Sequence, residues 1–74
     1  MLPGEKVYFR IDDTDQPGLQ RVQLLSPGPD LPTGRTWRVK AGKIVRESTA
    51  DMRSRHKPGS VFLVSALHLQ KSRQ

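Results

Sequence analysis

Basic residues are the side chains in this sequence best suited to binding chemistry, and they recur at the spacing of a β-strand. In residues 34–46, which read Gly-Arg-Thr-Trp-Arg-Val-Lys-Ala-Gly-Lys-Ile-Val-Arg, basic and apolar residues alternate. Because the side chains of a strand point alternately to opposite faces, Trp37 and Val39 should face a core. Arg38 and Lys40 should then present positive charge on the other face.

Cations gathered on one face can bind phosphates, whose contacts set affinity and register rather than sequence preference. Tyr8, which shares a predicted strand with Arg10, offers a ring on which a base can stack. The alternative is that the cations are merely solvated and that Tyr8 covers a sheet edge. We expect DNA or RNA as the partner. The predicted nucleic-acid-binding residues are Arg35, Trp37, Arg38, Lys40, Lys43, Arg46, Arg53, Arg55, Lys57, Tyr8 and Arg10.

The acidic residues and the histidines indicate neither a metal site nor a catalytic site. A calcium loop counted from Asp12 lacks the glycine at its sixth position and the glutamate at its twelfth, so residues 12–15 are predicted to form a solvated turn. His56 falls in a cationic turn without a nearby carboxylate, and His68 alternates with leucines on a predicted strand. Neither a Gly-x-Ser-x-Gly motif nor a glycine-rich phosphate loop is present. The sequence predicts no catalytic residue, no metal and no cofactor.

Net charge of +6 is distributed unevenly along the 74 residues. Residues 1–31 contain three Lys/Arg and five Asp/Glu, whereas residues 32–74 contain ten and two. An acidic half and a basic half favour either an anionic partner or head-to-tail self-association into a homo-oligomer. Cysteine is absent, which excludes disulfides and thiolate zinc sites. Without a signal-peptide pattern or an apolar run near the ~20 residues of a membrane span, we expect a cytoplasmic protein with no membrane contact.

Strand patterns and turn signals alternate through the chain. Three prolines should keep residues 26–34 out of any sheet, as a long exposed loop. Residues 48–55 are the candidate for a short helix, and the apolar run in 60–69 is typical of a strand buried on both faces. The polar end, residues 70–74, should fray. The segments with strand patterns are residues 5–11, 19–25, 34–47 and 60–69.

Four or five short strands with one helical turn predict an all-β fold, a small SH3-like barrel, with an OB-like barrel as the alternative. The chain is short enough for a single domain with a small core. We assign that domain to residues 1–70 and a polar tail to residues 71–74. A closed barrel suits so small a protein, because it leaves few sheet edges exposed.

One segment resembles a known family. His56-Lys57-Pro58-Gly59-Ser60-Val61, followed by Ala66-Leu67, is similar to the closing segment of the plasmid-encoded type II dihydrofolate reductases. The resemblance implies an SH3-like barrel and assembly as a tetramer around one pore. That family's Val-Gln-Ile-Tyr strand stands here as Val61-Phe62-Leu63-Val64, so Phe62 replaces the pore glutamine and Val64 the tyrosine.

The sequence thus favours a non-catalytic binding module that contacts nucleic-acid phosphates through a basic face. The alternative is a protein-interaction or inhibitor module, phage- or plasmid-encoded, whose basic face binds an acidic protein. A third hypothesis is an oligomeric enzyme that builds one pore from several copies.

Overall fold

Five antiparallel strands form one sheet in the computed structural model of this chain, which describes residues 1–48 and 55–71. A short 3₁₀ turn, Ala66–His68, follows the fourth strand. The strands are β1 (Lys6–Arg10), β2 (Leu19–Pro27), β3 (Thr36–Arg46), β4 (Val61–Ser65) and β5 (Leu69–Lys71).

The order of the strands in the sheet is β4-β3-β2-β1-β5, so β4 and β5 lie at opposite edges. Only the three residues of the 3₁₀ turn connect them. So short a connection can join opposite edges only if the sheet curls round on itself. The similar extents of the molecule, 30 × 25 × 24 Å, agree with a curled rather than a flat sheet. A meander of four strands, a 3₁₀ turn and a last strand beside the first is the arrangement of an SH3-like barrel, and the predicted fold class is confirmed.

The inner face of this curled sheet forms the core. The alternation predicted for the first strand is confirmed, because Val7, Phe9 and Ile11 are all buried. Val22 lies opposite Val7 on β2, so the register brings the apolar faces of both strands together. The buried cluster comprises Val7, Phe9, Ile11, Val22, Leu24, Trp37, Val39, Val64 and Leu69.

β3 is one continuous strand with a β-bulge near its middle. Gln20 pairs with Ile44 and Val22 with Ala41, so two residues of β3 lie opposite one residue of β2. Gly42 lies in the bulge, and a Cβ atom there would come within 2.9 Å of the carbonyl oxygen of Arg21 on β2. The bulge therefore requires glycine because the two backbones approach closely.

Three predictions about the sheet are wrong. β2 continues through Ser26 to Pro27, which pairs with Trp37, although the prolines were expected to keep this segment out of the sheet. At that end β2 has run past β1, whose register stops at Gln23, so a proline lies where the strand has one neighbour. Further along the loop, Leu31 and Gly34 form an isolated bridge.

The apolar run in residues 60–69 is not one strand buried on both faces. β4 ends at Ser65, and Val61 and Leu63 are 54% and 50% exposed. A barrel with a single sheet has one interior, so no strand of it can bury both faces. The sheet also takes in Gln70 and Lys71, which pair with β1 rather than fray.

The candidate helix at residues 48–55 falls mostly on residues 49–54, which lie outside the described part of the chain. Ser48, at its start, is buried. In the described ranges, no helix is long and apolar enough to cross a bilayer.

Candidate nucleic-acid interface

The outer face of the sheet carries a row of residues contributed by four strands. Lys6 of β1 lies opposite Gln23 of β2, Gln23 lies opposite Lys40 of β3, and Lys40 lies opposite Val61 of β4. Residues directly opposite one another in antiparallel strands share a face. Two lysines distant in sequence are thus brought to the same side of the barrel, two strand spacings apart.

The rows on either side add two arginines. Arg38 lies opposite the exposed Leu63 of β4, and Arg21 lies opposite Tyr8 of β1. Arg21 Nη2 donates to the hydroxyl of Tyr8 at 3.2 Å, and the guanidinium carbon lies 5.0 Å from the centre of the ring. We refer to this surface as the outer basic face. Its members are Lys6, Tyr8, Arg21, Gln23, Arg38 and Lys40.

No acidic residue of the sheet opposes this charge. The five described strands contain eight of the thirteen Lys/Arg and no Asp or Glu. Within the described residues, Arg55 forms an ion pair with Glu47 and His68 Nε2 lies 4.0 Å from Asp13 Oδ1, and neither contact involves the four cations of the outer basic face. Because these cations lack a carboxylate partner there, the face can attract an anion.

A depression of about 200 Å³ lies at the centre of the outer basic face. Lys6, Arg21, Gln23 and Lys40 line it together with Gly42 of the bulge. Three cations from three strands therefore line one depression on the outer face of the sheet.

The structure places only part of the predicted basic set on this face. Arg38 and Lys40 are exposed there, as the alternation predicts. Tyr8 also lies there, but it is half-buried and packed against Arg21 rather than exposed beside Arg10. Because the guanidinium of Arg21 lies over the ring, Tyr8 is not an open platform for a base.

Three other predicted arginines hold the ends of the barrel together. Arg46 Nε donates to the carbonyl oxygen of Pro17 at 2.9 Å. Arg10 Nη2 donates to the carbonyl oxygen of Leu67 in the 3₁₀ turn. Arg55 Nη1 donates to both carboxylate oxygens of Glu47, at 2.6 and 2.7 Å, so its charge is compensated.

The remaining predicted residues are scattered. Trp37 is 8% exposed and belongs to the core, so its indole is not a surface on which a base could stack. Arg35 precedes β3 and borders a separate pocket of about 250 Å³. Lys43 is exposed in the bulge and Lys57 in the turn before β4. Arg53 lies outside the described residues.

Lys6, Arg21 and Gln23 were missed in the sequence analysis. Their signal is the two-residue period of β1 and β2, which places them outward once Val7 and Val22 are placed inward. The period does not reveal that they meet Lys40, because that depends on the register between three strands.

Asp12 stabilises the loop between β1 and β2. Its carboxylate accepts from the Ser48 hydroxyl, from the hydroxyl and the backbone N–H of Thr14, and from the Gly18 N–H at 3.2 Å. These bonds, first the one from Ser48 and then those from Thr14, hold the pKa of Asp12 well below its ordinary value. Among the described residues, no group of three or more His, Cys, Asp or Glu could hold a metal ion.

His56 belongs to an aromatic cluster with Phe9 and Phe62. Its ring stacks on Phe62 with centroids 3.6 Å apart and planes inclined by 9°, and Phe9 lies 5.8 Å away. Burial against these rings lowers the pKa of His56 from its usual 6.5, because the charged imidazolium is poorly solvated there. These ring contacts indicate that His56 packs against the core.

Phe62 and Val64, the two positions that the sequence resemblance aligns with the pore glutamine and tyrosine of the type II dihydrofolate reductases, point into the barrel. They lie opposite Val39 and Trp37 of β3. Comparisons of the chain with protein-family models, with curated proteins and with solved structures gave no match. The functional proposal therefore rests on the geometry of the outer basic face.

Proposed function

We propose that this protein is a non-catalytic binding module that contacts the phosphates of a nucleic acid through its outer basic face. The observation that carries the proposal is the alignment of Lys6, Arg21, Arg38 and Lys40 on one side of a sheet without carboxylates. Neighbouring strands are about 4.8 Å apart, so these charges form a continuous positive surface rather than separate points. Such a surface attracts a polyanion.

Binding of this kind depends steeply on salt and weakly on base sequence. Each neutralised phosphate releases counterions, which gives a slope of log K against log salt of about −0.7 to −0.9 per contact. If all four cations contact phosphate, the slope is about −2.8 to −3.6. Fluorescence anisotropy of labelled single- and double-stranded oligonucleotides at two or more salt concentrations measures it. Trp37 is too deeply buried to report contacts on this face.

The face is tested by reversing charge at matched positions. Lys40→Glu should weaken binding about tenfold or more, and Arg38→Glu added to it should weaken binding further. Lys71→Glu changes the net charge equally, but Lys71 pairs with the inward-facing Val7 and so lies on the opposite side of the sheet. It should have a much smaller effect. If the Arg38→Glu/Lys40→Glu variant binds as the parent does, the proposed face is wrong.

A second candidate function is binding of an acidic protein. The observation that favours it is the pair of half-exposed apolar residues, Val61 and Leu63, directly beside Lys40 and Arg38. Apolar contacts flanked by cations suit a protein surface better than a phosphate backbone. Leu63→Ser should weaken capture of such a partner after nuclease treatment and leave oligonucleotide binding unchanged. Loss of oligonucleotide binding in Leu63→Ser would instead place this edge within the nucleic-acid contact.

A further inference from the structure

The depression at the centre of the outer basic face has the donors of a site for one phosphate group. Lys6, Arg21 and Lys40 line it from β1, β2 and β3, and Gln23 lies between the two lysines in the row across the strands. We infer that this depression is a subsite that holds a single phosphate group. The inference deepens the proposed function, since it names the point of the face where one phosphate is bound.

Arg21 is held in place before any ligand arrives. Its contact with the ring and hydroxyl of Tyr8 uses one of the five N–H donors of the guanidinium. That is the one hydrogen bond its side chain makes within the described residues, so the other donors are available to an anion. A side chain already fixed loses less entropy on binding, which favours Arg21 as the main anchor. Tyr8 is accordingly a positioning residue.

The size of the depression suits a small anion. Its volume of about 200 Å³ corresponds to about seven water molecules at ~30 Å³ each. A phosphate group with bound water fits within this volume. Gly42 lines the depression without a side chain, and a Cβ there would lie 2.9 Å from the carbonyl oxygen of Arg21.

The arrangement of the donors favours phosphate over carboxylate. A carboxylate presents two coplanar oxygens, whereas a phosphate presents oxygens in several directions and carries up to two charges. Donors on three different strands surround the depression from several directions. A backbone phosphodiester shares the tetrahedral oxygens of free phosphate but carries one charge and two non-bridging oxygens, and the test separates the two sources.

The test is an NMR titration of the ¹⁵N-labelled full chain with inorganic phosphate, against chloride at matched ionic strength. We expect saturable shifts of the Gln23 side-chain amide and of the backbone amides around Arg21 and Gly42. Arg21→Gln should weaken phosphate affinity about tenfold or more, since it removes charged hydrogen bonds. Lys6→Gln, which alters no described contact, should also weaken it. Lys43→Gln is the matched control, because Lys43 is exposed in the same bulge but does not line the depression.

Each outcome decides something. Shifts at these amides that are lost in Arg21→Gln and Lys6→Gln support the subsite. Oligonucleotide binding that depends on Arg38 and Lys40, without these phosphate shifts, refutes the subsite and leaves the proposed function standing. Phosphate binding without any oligonucleotide binding keeps the subsite for a free phosphate ion and refutes the proposed function. Equal losses in Lys43→Gln and Arg21→Gln reduce the effect to net charge and overturn the inference.

Discussion

Gln20 joins three parts of the chain that are far apart in sequence. Its side chain is fully buried, and its Nε2 donates to the carbonyl oxygens of Gly42 at 3.0 Å and of His56 at 2.6 Å. Its Oε1 accepts from the His56 N–H at 3.1 Å. A buried amide is tolerated only when its donors and acceptor are paired. Gln20 thereby fixes the turn before β4 against the bulge of β3.

Replacing Gln20 should therefore destabilise the fold strongly. Gln20→Leu keeps most of the side-chain volume but leaves the backbone groups of Gly42 and His56 without partners. An unpaired group costs ~1–3 kcal/mol when fully buried, but Gly42 and His56 are only half-buried, so for the three groups together we expect a loss of about 2–4 kcal/mol. Gln23→Leu, the same change on the outer face, should stay within about 0.5 kcal/mol. Urea unfolding followed by the fluorescence of the buried Trp37 measures both, and equal effects would contradict this role for Gln20.

His56 should make stability depend on pH. Burial lowers its pKa in the folded state below the usual 6.5, so below about pH 6.5 the unfolded chain binds a proton that the folded chain does not. Stability is then full above pH 6.5 and falls as the pH decreases toward the folded-state pKa. Unfolding free energies between pH 5 and 8 measure this slope, and an NMR titration of the imidazole gives the pKa itself. The slope should flatten in His56→Gln, and an unchanged slope would assign it to other groups.

Among the elements, β1 and β3 follow their sequence patterns most closely. The alternation of Val7 and Phe9 with polar neighbours predicts the buried face, and that of Trp37 and Val39 does so for β3. The pattern is enough to predict the buried face because one face of each strand is buried and the other exposed, so side chains alternate between core and solvent every two residues. The run at β4 has no such period. Which of its residues stay exposed depends on how many layers cover the sheet, and that is a property of the whole fold.

The site could be predicted only in part for a related reason. Arg38 and Lys40 share one strand, so their common face can be deduced from spacing alone. Lys6 and Arg21 join them through strand pairing, and that register depends on the bulge at Gly42 and on loop lengths. Arg10, which spacing also placed outward, instead bonds the 3₁₀ turn. Neither the strand pairing of Lys6 and Arg21 nor the bond from Arg10 to the 3₁₀ turn has a local signal in the sequence.

The bulge in β3 should tolerate changes at one of its two residues only. In Gly42→Ala the new Cβ would lie 2.9 Å from the backbone oxygen of Arg21, so one of the two strands must shift. We expect a loss of about 1–3 kcal/mol, as for other overpacked sites. Lys43→Ala, at the neighbouring exposed position, should remain within about 0.5 kcal/mol. Thermal unfolding of the two variants distinguishes a requirement for glycine from a general sensitivity of the bulge.

β4 should show one sensitive face and one tolerant face. Val64 is 7% exposed and packs in the core opposite Trp37, so Val64→Ala should cost about 2 kcal/mol from lost burial and the cavity left behind. Leu63→Ala, beside it on the half-exposed face, should cost less than about 1 kcal/mol. Chemical denaturation of both variants makes the comparison. Similar losses at the two positions would mean that something covers the outer face of β4.

At the scale of the whole molecule, the strands and the loop after β1 carry charge of opposite sign. The strands carry cations without carboxylates, while Asp12, Asp13 and Asp15 lie together in the loop after β1. Lys6 is four residues before the end of β1, about 13 Å at ~3.3 Å per residue, whereas Arg21, opposite Tyr8, is about 7 Å from that end. Only the distance of Lys6 exceeds the screening length of about 8 Å at physiological salt. The acidic loop should therefore affect an anion bound beside Lys6 and Lys40 through the long-range field rather than through contact.

Removing the two exposed charges of that loop tests whether the loop acts on the nucleic acid through long-range electrostatics or through direct contact. Asp13→Asn/Asp15→Asn raises the net charge from +6 to +8 and leaves the Asp12 hydrogen bonds intact. At about 0.15 M salt we expect less than a twofold change in oligonucleotide affinity, because the loop is screened from the outer basic face. At about 0.01 M salt, where the screening length is about 30 Å, association should become severalfold faster.

Lys40→Glu should weaken binding at both salt concentrations. Stopped-flow association rates at the two salt concentrations measure the difference. Equal acceleration at both would place the acidic loop in direct contact with the nucleic acid, and the outer basic face would then have to extend to the end of β1.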